Sequence, residues 1–239
     1  TTGAASDNAS SGLWDWGNPN GTTDQFGFVQ PEDDHTINGT QCFVTGNYSA
    51  SLGSDDVDGG HTTLLSPILD LSNMDDALVS YWKWYSNDAG DNPGNDYWYV
   101  DVSNDGGNNW TSIENTSSSW REWQRKRILL SEIIPLSNTI QFRFIAEDIQ
   151  YDGDNGSGGS IVEAAIDDLL IQSIYYSSCI GSGDVNGDGG INVLDIVNTV
   201  NAILDESLMS DELLCTADLN QDSMVNILDI VIMVNMILS

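Results

Sequence analysis

Two twelve-residue stretches near the carboxyl end carry side-chain oxygens at the same five positions. The first supplies Asp184, Asn186, Asp188, Asn192 and Asp195, and the second Asp218, Asn220, Asp222, Asn226 and Asp229. These are loop positions 1, 3, 5, 9 and 12, and position 7, occupied by Gly190 and Met224, need offer only its backbone carbonyl. A hard cation that takes roughly six to eight oxygens is what such a loop wraps, so the predicted ligand is Ca2+, one ion per loop.

An apolar stretch with helical spacing follows each loop, Ile196–Leu204 and Ile230–Leu238. The two copies are offset by 34 residues (218 − 184), and 12 of the 21 aligned positions from Asp184 to Leu204 are identical. A duplicated loop-helix unit is therefore expected to position the ligands. From Ser178 onward the chain holds ten acids and no Lys or Arg, so this unit should repel itself until cations bind.

Loop, helix and duplication together resemble a type I dockerin, over about residues 183–238. The resemblance implies a small calcium-dependent module that docks onto cohesin domains in extracellular assemblies. Asp195 and Asp229 stand where a standard EF-hand carries a bidentate Glu, as this family prefers. Ser223 replaces the Gly that usually makes the turn at position 6, which points to strain in the second loop. Loop positions 10 and 11, which the resemblance makes partner-selecting, are Val193, Leu194, Ile227 and Leu228. Two readings stay open for them: packing between the helices, or facing a partner.

Thirty-seven acids against six basic residues give a net charge of −31 on 239 residues. No cationic surface exists to displace counterions from phosphate, which argues against nucleic acid as a partner, and anionic membranes are disfavoured for the same reason. No apolar run approaches the ~20 residues of a spanning helix, so membrane insertion is not expected. Eight Trp, eight Tyr and a 40% apolar share are enough to build a core. The chain opens at Thr1 without a charged and apolar leader, so an export signal is expected to have been removed or never to have been part of this sequence. Of three cysteines, Cys179 and Cys215 each shortly precede a calcium loop and are expected to form a disulfide, leaving Cys42 as a buried thiol. Sequons at Asn8, Asn20, Asn38, Asn47, Asn109, Asn115 and Asn155 all fall before residue 160, where glycosylation of a secreted surface is expected.

The first 175 residues read as an all-β body. Runs such as Leu78–Tyr85, Trp98–Ser103, Ile140–Ile145 and Ala164–Ile171 are separated by Asn, Asp and Gly clusters, and Phe142-Arg143-Phe144 alternates between a buried and a wet face. The expected fold is mainly β: a jelly-roll β-sandwich over 1–175, followed by a small α-helical dockerin-like domain over 176–239. The strings Gly12-Leu13-Trp14-Asp15-Trp16, Cys42–Asn47, Asp56–Pro67 and Val162–Asp168 resemble MAM and cleaved-adhesin modules, the non-catalytic accessory jelly rolls of bacterial secreted peptidases. Relatives carry a further strand ahead of the Trp14 stretch, so the short Thr1–Gly12 segment predicts an open sheet edge able to pair with another chain. Asp58 and Asp167, with Asp56, Glu163 and Asp168 nearby, are a candidate third calcium site. Trp14, Trp16, Trp120 and Trp123 lie in loop-like contexts and are candidates for stacking on sugar rings, whereas Trp82 and Trp84 read as core.

Enzyme chemistry finds no footing. His35 and His61 are the only histidines, neither in a zinc-type helix motif, and no nucleophile elbow or phosphate-cradling loop occurs. The sequence thus predicts a non-catalytic extracellular structural or adhesion protein whose partners are copies of itself or a cohesin-like domain, polymerising head to tail into a filament. The alternative is the carbohydrate-binding accessory portion of a secreted hydrolase, with glycans as ligands and a cohesin scaffold as anchor.

Overall fold

Strict alternation shapes the first unit. On the strand Trp98–Ser103, Trp98, Val100 and Val102 are fully buried while Tyr99 turns the other way, and Phe142, Phe144 and Ala146 behave likewise on Gln141–Asp148. The computed structural model describes residues 1–149, 159–174, 181–205, 208–222 and 224–239, arranged in two compact units, Thr1–Tyr175 and Tyr176–Ser239.

The strands of the first unit are β1 (Trp14–Gly17), β2 (Thr23–Asp24), β3 (Gly27–Phe28), β4 (Cys42–Thr45), β5 (Gly60–Leu65), β6 (Asp76–Gly90), β7 (Trp98–Ser103), β8 (Thr111–Thr116), β9 (Trp120–Leu129), β10 (Gln141–Asp148) and β11 (Ser160–Ile174). One antiparallel sheet has the order β1-β4-β11-β6-β9, a second has β5-β10-β7-β8, and β2-β3 form a small hairpin. The two larger sheets enclose a core centred on Trp98, whose ring lies 5.8 Å from Tyr85 and 6.2 Å from both Trp14 and Phe144. Burial of aromatic residues on this scale is the main stabilising term of such a sandwich.

A second, smaller apolar layer lies on the outer face of the five-stranded sheet, built from Cys42, Val44, Trp84 and Ala165 with Trp123 against them. The segment ahead of β4 closes it. Trp84 Nε1–H and Ser86 Oγ–H both donate to Val29 O, at 2.8 and 2.7 Å. Gln30, fully buried, donates to Thr45 O, Gly46 O and Glu163 Oε2. Both faces of this sheet are therefore occupied.

Two expectations change here. Trp14 is not a loop residue but a core one, only 4% exposed, because β1 pairs with β4 and turns its ring inward, where Nε1–H donates to Thr62 O. Nor is the β5 edge open. Thr1 N and Thr1 O bond Leu65, Gly3 N donates to Thr63 O, and the amides of Asn8 and Ala9 donate to His61 O, so residues 1–9 cover that edge.

The second unit contains α1 (Val193–Leu204), α2 (Asp211–Ala217) and α3 (Ile227–Leu238), with α1 packed on α3. Asn192 and Asn226 cap the two long helices, accepting from Leu194 N and Leu228 N, while Asp195 and Asp229 reach back to the cap amides and complete capping boxes. Helix α2, capped by Ser210, joins the repeats; its seven residues gave no periodic signal of their own. Among the described residues only Ala202, Ala217 and Met233 are buried apolar side chains in this unit. Such a core is too small to sustain a domain unaided.

Candidate functional site

Each of the two loops is braced by its own amides, which donate to its side-chain oxygens. In the first, the Asp188 amide donates to both Asp184 Oδ1 (3.1 Å) and Asn186 Oδ1 (2.8 Å), and the Gly189 amide donates to Asp184 Oδ2 (2.9 Å). The second repeats the pattern: the Asp222 amide donates to Asp218 Oδ1 and Asn220 Oδ1, at 3.2 and 3.1 Å. Asp195 and Asp229 are fully buried; Oδ1 of each accepts two loop amides, Val185 with Asn186 and Leu219 with Asn220, and Oδ2 accepts one. Each Oδ2 thus keeps a lone pair for an ion. The oxygen-only donor set fits Ca2+, with Asp184, Asn186, Asp188, Asn192, Asp195 and the Gly190 carbonyl in one loop, and Asp218, Asn220, Asp222, Asn226, Asp229 and the Met224 carbonyl in the other.

Ser223 lies outside the described residues. Strain appears elsewhere in that loop, at position 4: Gln221 has φ +59°, where the first loop has Gly187 at +70°. A side chain in this left-handed region costs about 1–2 kcal/mol, and only comparison of the two copies at position 4 could have revealed it. The four partner-selecting candidates are exposed, Val193 63%, Leu194 60%, Ile227 65% and Leu228 57%, so they do not pack between the helices. Cys215 is disulfide-bonded and Cys42 is a free, buried thiol whose pKa burial drives far up; Cys179 lies outside the described residues.

The candidate third site divides in two. Asp167 Oδ2 accepts the amides of His35 and Thr36, and His35 Nδ1 meets Asp168 at 2.9 Å, giving a His35–Asp167–Asp168 group under the stacked rings of His35 and Trp82. Asp58 is not part of that group; Ser11 Oγ–H donates to it. The sequence grouped Asp58, in a Gly-flanked turn, with Asp167 near the last strand as one carboxylate set; the structure gives them different neighbours.

A groove of about 600 Å³ runs over the outer face of the β5-β10-β7-β8 sheet. Its walls include His61, Tyr99, Asp101, Trp110, Arg143 and Glu147, all presented by the alternation that buries their neighbours or by the turn before β8. Arg143 lies 4.4 Å over the Trp110 ring and donates to Asp101 Oδ2 at 2.7 Å, fixing the indole. Tyr97 stacks beside Tyr99 with centroids 6.0 Å apart, and Tyr99 O–H donates to Glu147 at 3.2 Å. Burial, with Glu147 adding to it, pushes the Tyr99 hydroxyl up to about 12, so it remains a donor at neutral pH. Of the tryptophans proposed for stacking, Trp16 and Trp120 are about half exposed and Trp123 is half-buried, but none lines this groove. Trp110 escaped notice because it follows a Gly-rich turn rather than lying in a strand-like run.

Of the sequons, Asn8, Asn20, Asn38, Asn109 and Asn115 are exposed, Asn47 is half-buried with its amide donating to Asn18 O, and Asn155 lies outside the described residues. Asn115 pairs with Tyr99 across β7 and β8, so a sugar attached there would share the groove's face.

Among the described residues no helix is long and apolar enough to cross a membrane. Among curated proteins none matches the chain. Solved structures with a similar sandwich include TmCBM61 in complex with beta-1,4-galactotriose (17% identity, TM-score 0.35, covering 67% of this chain and 88% of that one). Others are a family 30 carbohydrate-binding module (15%, 0.35, 78% and 94%) and the CBM22-1–GH10 modules of a Clostridium thermocellum xylanase complexed with xylohexaose (14%, 0.31, 80% and 36%). At these values the likeness is one of fold alone, and nothing in it supports the MAM or cleaved-adhesin resemblance. The loops and helices of the second unit, residues 182–238, match the family described as the dockerin type I domain.

Proposed function

We propose that this chain is a non-catalytic, secreted carbohydrate-binding accessory that holds a neutral polysaccharide on its four-stranded sheet and is anchored to a cohesin-bearing scaffold by its calcium-loaded tail. The groove carries the first half of this reading. Sugar rings present apolar C–H faces to aromatic walls and hydroxyls to flanking polar groups, which is what Tyr99 and Trp110 offer beside His61, Asp101 and Glu147. The charge of −31 selects against acidic polymers. Self-assembly through an open β5 edge loses its support, since residues 1–9 lie on that edge.

Retention on insoluble neutral polysaccharides tests the reading. Trp110→Ala and Tyr99→Ala should each weaken binding at least tenfold, from the ~2 kcal/mol typical of a well-packed aromatic anchor. Retention unchanged in both variants would remove the groove from the function.

The tail is tested separately. Exposed apolar side chains at the starts of α1 and α3 suit a docking partner. Leu194→Asp together with Leu228→Asp should abolish capture by an immobilised type I cohesin while leaving the helical circular dichroism of the calcium-loaded chain intact. Undiminished capture would place the docking surface elsewhere.

A further inference from the structure

The segment ahead of β1 runs along β5 as an edge strand with one interruption. Thr1 and Leu65 exchange both backbone hydrogen bonds, Thr2 bridges Leu64, and the Gly3 amide donates to Thr63 O at 2.8 Å. Carried on, that antiparallel register would set Ala5 opposite His61. Asn8 stands there instead: its amide donates to His61 O at 3.2 Å, and its Oδ1 accepts the His61 amide at 3.1 Å. Ser11 then bridges Asp58, which keeps the shifted register. Three extra residues, Ala4, Ala5 and Ser6, therefore leave the ladder between two paired stretches, and Gly3, with φ +87°, lets the chain turn out.

The excursion is held from within. The Asp7 amide donates to Ala4 O at 3.1 Å while Asp7 Oδ2 accepts the Ala4 amide at 2.8 Å, so the turn is closed in both directions. The same Oδ2 accepts the Thr63 amide at 2.9 Å, a donor that unbroken pairing would have given to Gly3 O, and Oδ1 accepts the Thr63 hydroxyl at 2.7 Å. Only 11% of the Asp7 side chain is exposed, which shields these bonds from water. Extra residues at a sheet edge bend the strand and re-aim its side chains, often beside a binding site. Here Ala4, Ala5 and Ser6 line the groove from the β5 edge, and Gly106, Gly107 and Trp110 line it from the β7–β8 connection.

We propose that the Ala4–Asp7 turn is the specificity wall of the groove: it admits one polysaccharide chain separated from its neighbours and turns away chains packed side by side in a crystalline face. This rests on the reading of the groove as a polysaccharide site. Without the excursion the β5 edge would be plain strand, and the groove would open sideways across it. Ala4, Ala5 and Ser6 are small and leave the width to the ligand, and the exposed Ser6 hydroxyl can donate to or accept from a sugar hydroxyl. Asp7 is a positioning residue, which fixes the wall without meeting the ligand.

Deleting Ala4, Ala5 and Ser6 from the full chain tests the wall. Asn8 then falls where the register of Thr1, Thr2 and Gly3 leads, so the edge pairs without a break and the melting temperature should stay close to the parent's. In affinity electrophoresis through soluble xylan, galactan, mannan and mixed-linkage β-glucan, at least one polymer should retard the parent. The deletion variant should bind that polymer about tenfold more weakly, equivalent to one or two lost hydrogen bonds, and microcrystalline cellulose should not retain the parent. Equal retardation of parent and deletion variant, with Trp110→Ala still weakened, would overturn the wall and leave the groove standing; so would retention of the parent on microcrystalline cellulose. A parent that no polymer retards would sink the groove and the wall together. Should the deletion variant fail to fold, Asp7→Asn is the second variant, since a carboxamide cannot accept from both Thr63 and Ala4 as the carboxylate does. It should weaken binding about threefold with tryptophan fluorescence unchanged, and undiminished binding there would equally overturn the wall.

Discussion

Chelating calcium should melt the second unit and leave the sandwich standing. At a hundredfold excess over its dissociation constant each ion contributes about 2.7 kcal/mol, so two loops account for roughly 5 kcal/mol, comparable to the whole stability of a small domain. Among the described residues only Ala202, Ala217 and Met233 are buried apolar side chains there, so little else opposes unfolding. Ten acids without a basic residue from Ser178 onward add repulsion once the cations leave. Far-UV circular dichroism in chelator should lose most of the helical signal of α1 and α3, while tryptophan fluorescence, which comes only from the first unit, keeps a folded spectrum. Asp229→Ala alone should weaken one ion and remove a capping box, lowering the unit's melting temperature even in saturating calcium. A helical spectrum unmoved by chelator would show that the disulfide at Cys215 and the helix caps suffice.

Lys83→Met should destabilise the sandwich by about 3–5 kcal/mol, the usual cost of removing one partner from a buried ion pair. Lys83 Nζ lies 2.7 Å from Glu114 Oε2, and both side chains are under a tenth exposed; Tyr81 O–H and Lys126 also reach this carboxylate. The pair joins β6 to β8, one strand from each sheet, so losing it affects both. Lys126 is far more exposed and cannot replace a buried charge. Burial pushes the Glu114 carboxyl up, and Lys83, Lys126 and Tyr81 more than offset it, leaving it below the ordinary value. Its contribution is therefore present above the unfolded carboxylate value and disappears as pH falls through the folded one, in a window below roughly pH 4. Urea unfolding of parent and variant at neutral pH measures the effect. A difference under about 1 kcal/mol would mean that water reaches the pair and screens it.

The sandwich and the calcium loops were legible for the same reason: each is written in a local period. Alternation along Phe142-Arg143-Phe144 became a strand with a buried and a wet face, and the side-chain oxygens at loop positions 1 and 3 both accept the amide of position 5. What the sequence hid depends on distance along the chain. His35 meets Asp167 and Asp168 across gaps of 132 and 133 residues, and nothing in the local pattern of any of them marks the meeting. Trp14 looked exposed because its flanks are Gly, Asp and Pro, yet pairing with β4 turned it inward. The groove was hidden in the positions alternation makes ordinary: Tyr99, Asp101, Arg143 and Glu147 read simply as the outward side of β7 and β10.

The layer closed by Gln30 and Val29 has a bearing on valency. If the groove of the four-stranded sheet holds a polymer, as proposed, the roofed back of the five-stranded sheet leaves the first unit a single side to offer it. One copy should therefore tether a fibre without bridging two, and solutions of the free protein should neither gel nor precipitate soluble polysaccharide. Cross-linking would begin only when several copies share a common support, where their number and spacing would set how firmly the assembly clings.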